Sequence, residues 1–204
     1  MVQHAPRLTK ALLRSDPERR SWLVGERGEQ RAGKVLEKLA SNVGGEIVYD
    51  VQLDNENIDV VAVLPTGIFV VEVKNWSGTV TLKNDVMFHG SRTPRRVHAQ
   101  VVRQRTKLVE LLDLKYAVEG VIVFIPNDEL KLSGTRAPGT TPVVMLGELG
   151  AHLTGTRRDP RPKVLAPYEI GGLATTVRYG RPLVARAVDG LDAVYRPAEG
   201  TSKM

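Results

Sequence analysis

The sequence predicts an α/β fold in which a mixed sheet is flanked by helices. Three observations carry that prediction. Apolar residues run at helical spacing, then in three strand-like stretches, then again at helical spacing before a fourth strand. The strand stretches are apolar on both sides, as expected of a sheet covered on both faces. The composition, 42% hydrophobic and 25% charged over 204 residues, suits one globular domain with a sizeable core.

Residues 1–20 read as a basic arm lacking the apolar run of a signal peptide. A helix is expected from about Ser21 to Ala40, where Ala32, Val35, Leu36 and Leu39 repeat at helical spacing. Gly25, Gly28 and Gly33 weaken its first half, and Asn42 with Gly44-Gly45 ends it. Strands follow at Glu46–Leu53, Asn57–Leu64 and Ile68–Asn75, all rich in Val, Ile and Phe, with a turn at Pro65-Thr66-Gly67. Thr79–Leu82 and Val86–His89 form a small hairpin around Asn84-Asp85.

A second helix spans roughly Arg95 to Lys115, with Val97, Val101, Leu108 and Leu112 as its apolar stripe. Gly120–Ile125 is a buried strand stopped by Pro126, Pro142–Leu146 is another strand, and a short helix follows around Glu148–Leu153. Thr154 to Pro167 is a connection rich in Pro and Arg, and Tyr168–Tyr179 reads as a short helix before a tail. The expected division is therefore an arm (1–20), a domain (21–153) and a C-terminal extension (154–204).

Bulk properties narrow the function. The chain has no cysteine, which excludes a disulfide framework, thiolate zinc sites and a cysteine nucleophile. Its longest apolar stretches are far too short to span a bilayer, so a cytoplasmic protein without membrane contact is the expectation. The net charge of +6 fits a partner that is a polyanion, nucleic acid first.

The chemistry concentrates in the segment from Asn57 to Lys74. Side chains alternate along a strand, so Glu72 and Lys74 share a face. A four-residue turn at Leu64–Gly67 sets Asp59 opposite Glu72, and a two-residue turn at Thr66-Gly67 sets it opposite Lys74. Both registers put Asp59 on the Glu72/Lys74 face; a three-residue loop does not. Charged groups amid apolar strands must be paired or metal-bound, because burial of an unpaired charge costs several kcal/mol. A hard divalent cation satisfies two facing carboxylates. The plainer alternative is a structural ion cluster.

Asp59, twelve intervening residues and then Glu72-Val73-Lys74 resemble the Asp…Glu-x-Lys signature of the restriction-endonuclease-like, PD-(D/E)xK, nuclease superfamily. More specifically, Gly25-Glu26-Arg27-Gly28-Glu29, Ile58-Asp59, Glu72-Val73-Lys74-Asn75-Trp76-Ser77-Gly78 and Gln100 are similar to the nuclease-related domain (NERD) family. The likeness covers roughly Gly25 to Leu112 and continues more weakly to Leu153. Where that family commonly has Asn-Pro before the helix glutamine, this chain has Arg96-Val97.

The resemblance implies an αβββαβ core with Mg²⁺, or Mn²⁺ as substitute, bound by Asp59, Glu72 and the Val73 carbonyl. It further implies that Lys74 orients or activates the attacking water and helps neutralise the transition state, and that Gln100 holds Lys74 or a phosphate. Glu29 would reach the metal through water or support a second ion, with Glu26 as the alternative. Arg96, Arg103 and Lys107 share the Gln100 side of the helix and are candidates for phosphate contacts; a solvated helix face is the alternative. The implied activity is Mg²⁺-dependent hydrolysis of nucleic acid, DNA foremost, in processing or repair. The competing reading is an inactive nucleic-acid-binding or scaffold module. His89 or His98 is a candidate proton donor, and Trp76 a candidate for base stacking or simply for packing.

Overall fold

The computed structural model describes residues 16–83, 86–113, 116–134 and 141–180, and within them the apolar runs become the strands of one central sheet. In chain order the elements are α1 (Asp16–Val43), β1 (Glu46–Leu53), β2 (Glu56–Leu64), β3 (Gly67–Lys74), β4 (Thr79–Lys83) and β5 (Val86–His89). They continue with α2 (Arg95–Leu111), β6 (Val118–Phe124), β7 (Lys131–Gly134), β8 (Val143–Met145), α3 (Leu146–Thr154) and α4 (Pro167–Tyr179).

The main sheet has the order β1-β2-β3-β6-β8. β1, β2 and β3 form an antiparallel meander, and β6 and β8 extend it in parallel beyond β3. This is a mixed sheet flanked by helices, consistent with the restriction-endonuclease-like αβββαβ arrangement. One face carries Val61, Val63, Ile68, Val70, Ile122 and Phe124 under Val101 and Leu108 of α2 and Ile170 and Ala174 of α4. The other carries Val60, Ala62, Phe69, Val71 and Val123 under Ala32 and Leu36 of α1 and Leu149 and Leu153 of α3. Each such valine, leucine, isoleucine or phenylalanine, fully buried, contributes roughly 1.5–3 kcal/mol of transfer free energy. Contact on α2's side is close: a Cβ at Gly120 would lie 2.3 Å from Val101 Cγ1.

Several boundaries differ from expectation. α1 begins by Asp16, so residues 16–20 of the expected arm are helical; 1–15 lie outside the described residues. α2 stops at Leu111, and Asp113 turns the chain away at φ 56°. The tip of the hairpin, Asn84-Asp85, and the tail after Gly180 lie outside the described residues. β7 was not anticipated; it pairs in parallel with β4 to make a second sheet of order β5-β4-β7. α4 forms despite Gly171-Gly172 and supplies Ile170, Leu173, Ala174 and Val177 to the core. Among the described residues, no helix is long and apolar enough to cross a membrane.

Candidate active site

The β2/β3 ladder pairs Leu64 with Gly67 and Val60 with Val71, the register of the four-residue turn. Continued one step, it sets Asp59 opposite Glu72. Ile68 and Val70 face α2, so alternation along β3 turns Glu72 and Lys74 to that side as well. Glu72 is 1% exposed and fully engaged there. Its Oε2 accepts from Gln100 Nε2 at 3.0 Å and from Gln104 Nε2 at 3.2 Å, while the Lys74 ammonium donates to Oε1.

Asp59 does not follow simple alternation. Ile58 and Val61, three residues apart, lie in the same core layer, and so do Val48 and Val51 on the neighbouring strand. Between these pairs the β1/β2 ladder steps from Tyr49–Val60 to Val51–Ile58, and Asp50 adopts a left-handed φ of 52°. A local kink of this kind re-aims a side chain, as bulges do. The Asp59 carboxylate lies between strands, where Oδ2 accepts the Val73 N–H at 3.1 Å. The carboxylate occupies the slot between β2 and β3, within electrostatic reach of both Glu72 and Lys74. A residue's N–H and C=O leave an extended strand on the same edge. The Val73 carbonyl therefore points toward the Asp59 side, while the Lys74 carbonyl accepts from Ile125 N at 2.9 Å on the β6 side.

From the slot Asp59 senses charges on both layers. Burial first, then the Glu72 and Glu29 carboxylates, push its pKa from 3.8 up to about 7, against the Val73 N–H and the Lys74 ammonium, which lower it. Glu29, rather than Glu26, is the α1 carboxylate that acts on it. α1 reaches this point because residue 28 is glycine: a Cβ there would lie 2.8 Å from Asn75 Cβ, just beyond Lys74. Glu29, Asp59, Glu72, Val73, Lys74 and Gln100 are in this way brought to one end of β3.

Other candidates are placed differently. Gln100 bonds to Glu72 rather than to Lys74. Arg96 is exposed on the first turn of α2. Arg103 is paired with Glu56, and Lys107 with Asp54 and Glu110, both at 3.1 Å. Trp76 is a packing residue: His89 stacks on it at 4.7 Å and Phe124 meets its edge at 5.4 Å. His89 Nε2 lies 2.7 Å from the Ser77 carbonyl. The Pro- and Arg-rich connection from Thr154 to Pro167 is remote, because Val164 N and Leu165 N donate to Pro65 O at the β2–β3 turn, the opposite end of β3 from Lys74. There Arg161 pairs with Glu119 and covers the Phe69 ring at 5.2 Å.

One participant went unrecognised in the sequence. Gln104 is wholly buried and binds both Glu72 and the Asn57 carbonyl, the latter at 2.8 Å. The signal was present, since it interrupts the apolar stripe of Val97, Val101 and Leu108.

Among the described residues no three His, Cys, Asp or Glu side chains are grouped so as to hold a metal ion. The donor set at the slot is smaller: the Asp59 and Glu72 carboxylates with the Val73 carbonyl. That set fits Mg²⁺, which takes oxygen ligands and is commonly bound through one or two carboxylates, with water and substrate phosphate completing its shell.

Searches against curated proteins and against solved structures returned no match. The sequence profile of the nuclease-related domain matches residues 24–125, half of the chain, and that span contains every residue of the slot. The chain belongs to the nuclease-related domain (NERD) family, a membership that implies a nuclease-related function and is consistent with placement in the PD-(D/E)xK superfamily.

Proposed function

We propose that this protein hydrolyses phosphodiester bonds of nucleic acid, DNA foremost, using Mg²⁺ held by Asp59, Glu72 and the Val73 carbonyl. The observation that carries the reading is the slot itself. Two carboxylates on adjacent strands converge where the β2/β3 ladder ends, with a lysine two residues from one of them. When bound, a divalent cation supplies charge stabilisation at the phosphoryl oxygens and makes a water nucleophile accessible at neutral pH.

The chain's own residues do the rest. Lys74, half-buried beside Glu72, is placed to orient a water and to offset negative charge gathering on the phosphoryl group. Gln100 donates to Glu72 and keeps its carboxylate from rotating. Glu29 adds negative potential at Asp59 from the other layer, which favours a cation between them. Arg96 is the member of the α2 group open to a backbone phosphate. Arg103 and Lys107 can serve only by exchanging their present carboxylate partners.

A second reading has an observation of its own. Glu72 already accepts three donors, as it would in a structural cluster within an inactive nucleic-acid-binding module. Purified protein incubated with plasmid and single-stranded DNA in Mg²⁺, Mn²⁺ or EDTA separates the two. The expected result is metal-dependent cleavage, lost in Lys74→Ala and Asp59→Ala while DNA binding persists. Cleavage that survives both substitutions, or wild-type binding without cleavage in either metal, overturns the enzymatic reading.

A further inference from the structure

Gln104 breaks a local rule. It occupies the buried stripe of α2 that Val97, Val101 and Leu108 otherwise fill, and it is 0% exposed. Its Oε1 is buried without a hydrogen-bond partner. An orphaned buried acceptor is destabilising, so leucine or methionine would serve packing better at this position. Residues that violate the local pattern without local compensation tend to mark functional constraint.

The amide group shows what the constraint is. Nε2 donates to Asn57 O at 2.8 Å and to Glu72 Oε2 at 3.2 Å. Asn57 lies on β2, two residues before Asp59, and Glu72 lies on β3 opposite Asp59. Strand pairing between β2 and β3 ends at Val60–Val71, so the bridge spans the gap where the ladder no longer holds the strands together. The reverse amide orientation would turn the oxygen toward a carbonyl and a carboxylate, both acceptors, so the two donors must face the strands.

We propose that Gln104 is a positioning residue that sets the separation of the Asp59 and Glu72 carboxylates and thereby favours a small cation over a large one. The inference rests on the metal-binding reading above. Mg²⁺ demands near-octahedral geometry at about 2.0–2.1 Å, whereas Ca²⁺ accepts ligands at about 2.3–2.6 Å in flexible arrangements. Loosening the bridge should therefore penalise Mg²⁺ and spare Ca²⁺.

The test is calorimetric titration of Mg²⁺ and of Ca²⁺ into wild type, Gln104→Met and Gln104→Asn. Methionine keeps the volume without the donors; asparagine keeps the amide one methylene short of its partners. Loss of an outer-shell partner lowers metal affinity by about 10- to 100-fold, which is the fall expected for Mg²⁺ in both variants, with Ca²⁺ affinity changed less than about threefold. If Gln104→Met does not fold, Gln104→Asn carries the same expectation. Equal losses for the two cations, or none, overturn the inference and leave the nuclease reading standing. A wild-type protein that binds neither cation overturns both.

Discussion

Asp59→Asn in the metal-free protein tests the electrostatics of the slot without relying on activity. The wild-type carboxylate titrates near 7 in the folded state and near its ordinary 3.8 when unfolded. Between those values the folded state binds more protons than the unfolded one, so raising the pH removes stability. The contribution is fully present below pH 4, declines through the window and is gone above pH 7. Three pH units at 1.36 kcal/mol each set a ceiling of about 4 kcal/mol, which partial exposure of Asp59 reduces toward roughly 2. Asparagine does not titrate and still offers an oxygen to the Val73 N–H. The variant should match wild type near pH 3 and exceed it by about 2–4 kcal/mol at pH 8. Urea unfolding in EDTA across that range, read as the difference between the two proteins, cancels the titration of all other groups. Saturating Mg²⁺ at pH 8 should then narrow the gap, since a ligand at 100 times its Kd stabilises by about 2.7 kcal/mol. A variant less stable than wild type at pH 8, or a difference that ignores pH, would refute the account of a carboxylate held among like charges.

Glycines on α1 and β6 give a paired prediction. Gly28→Ala gains up to about 1 kcal/mol of helix propensity but drives a Cβ within 2.8 Å of Asn75 Cβ, so melting should barely change while cleavage falls about 10- to 100-fold as Glu29 is displaced. Gly25→Ala meets nothing within 4 Å and should simply raise stability by up to about 1 kcal/mol, with cleavage intact. Gly120→Ala forces α2 off the sheet through Val101; a loss of about 1–3 kcal/mol in urea unfolding is expected, with cleavage reduced because Gln100 and Gln104 move too. For duplex DNA binding, Arg96→Ala should lower the slope of log affinity against log salt by about 1, and Arg103→Ala by less, because Glu56 already holds the Arg103 guanidinium. Equal slope changes for the two arginines would contradict the assignment.

Much of the fold was legible because period and punctuation agreed. The meander follows from three apolar runs that begin after Gly44-Gly45, the last two parted by Pro65-Thr66-Gly67, whose four-residue turn brings Asp59 opposite Glu72. β7 was not legible. Lys131–Gly134 has only Leu132 half-buried, and its partner β4 lies some fifty residues earlier, so nothing local announces it. The role of α4 was hidden for a related reason: Gly171-Gly172 lowers helix propensity, and only docking on the β1–β2 face recovers the loss. Glycine misled in a second way. Gly28, read locally, weakens α1, yet its missing side chain is what admits the helix to Asn75.

The site was legible as residue types, while the register stayed open between two turns and the local kink beside Asp59 was not foreseen. Alternation predicts that Asp59 stands on the Glu72 face, and a strictly alternating pair would indeed share it. Aspartate visits the left-handed region more readily than most residues, but nothing local announces that Asp50 does so directly across from Asp59. Such a conformation costs of order 1 kcal/mol and persists only where the surroundings over-determine it. Here they do: Val48 and Val51 are both drawn into the same core layer, as are Ile58 and Val61, and the backbone between each pair must absorb the mismatch. The same mismatch frees the Val73 N–H for the Asp59 carboxylate. Core packing and site geometry are therefore one event. A substitution that restored regular alternation, such as Asp50→Val on the edge strand, should tighten the β1/β2 ladder while moving Asp59 out of the slot. The expected signature is a higher melting temperature with weaker Mn²⁺ binding by calorimetry; unchanged metal affinity in a stabilised variant would show that the kink does not aim the carboxylate.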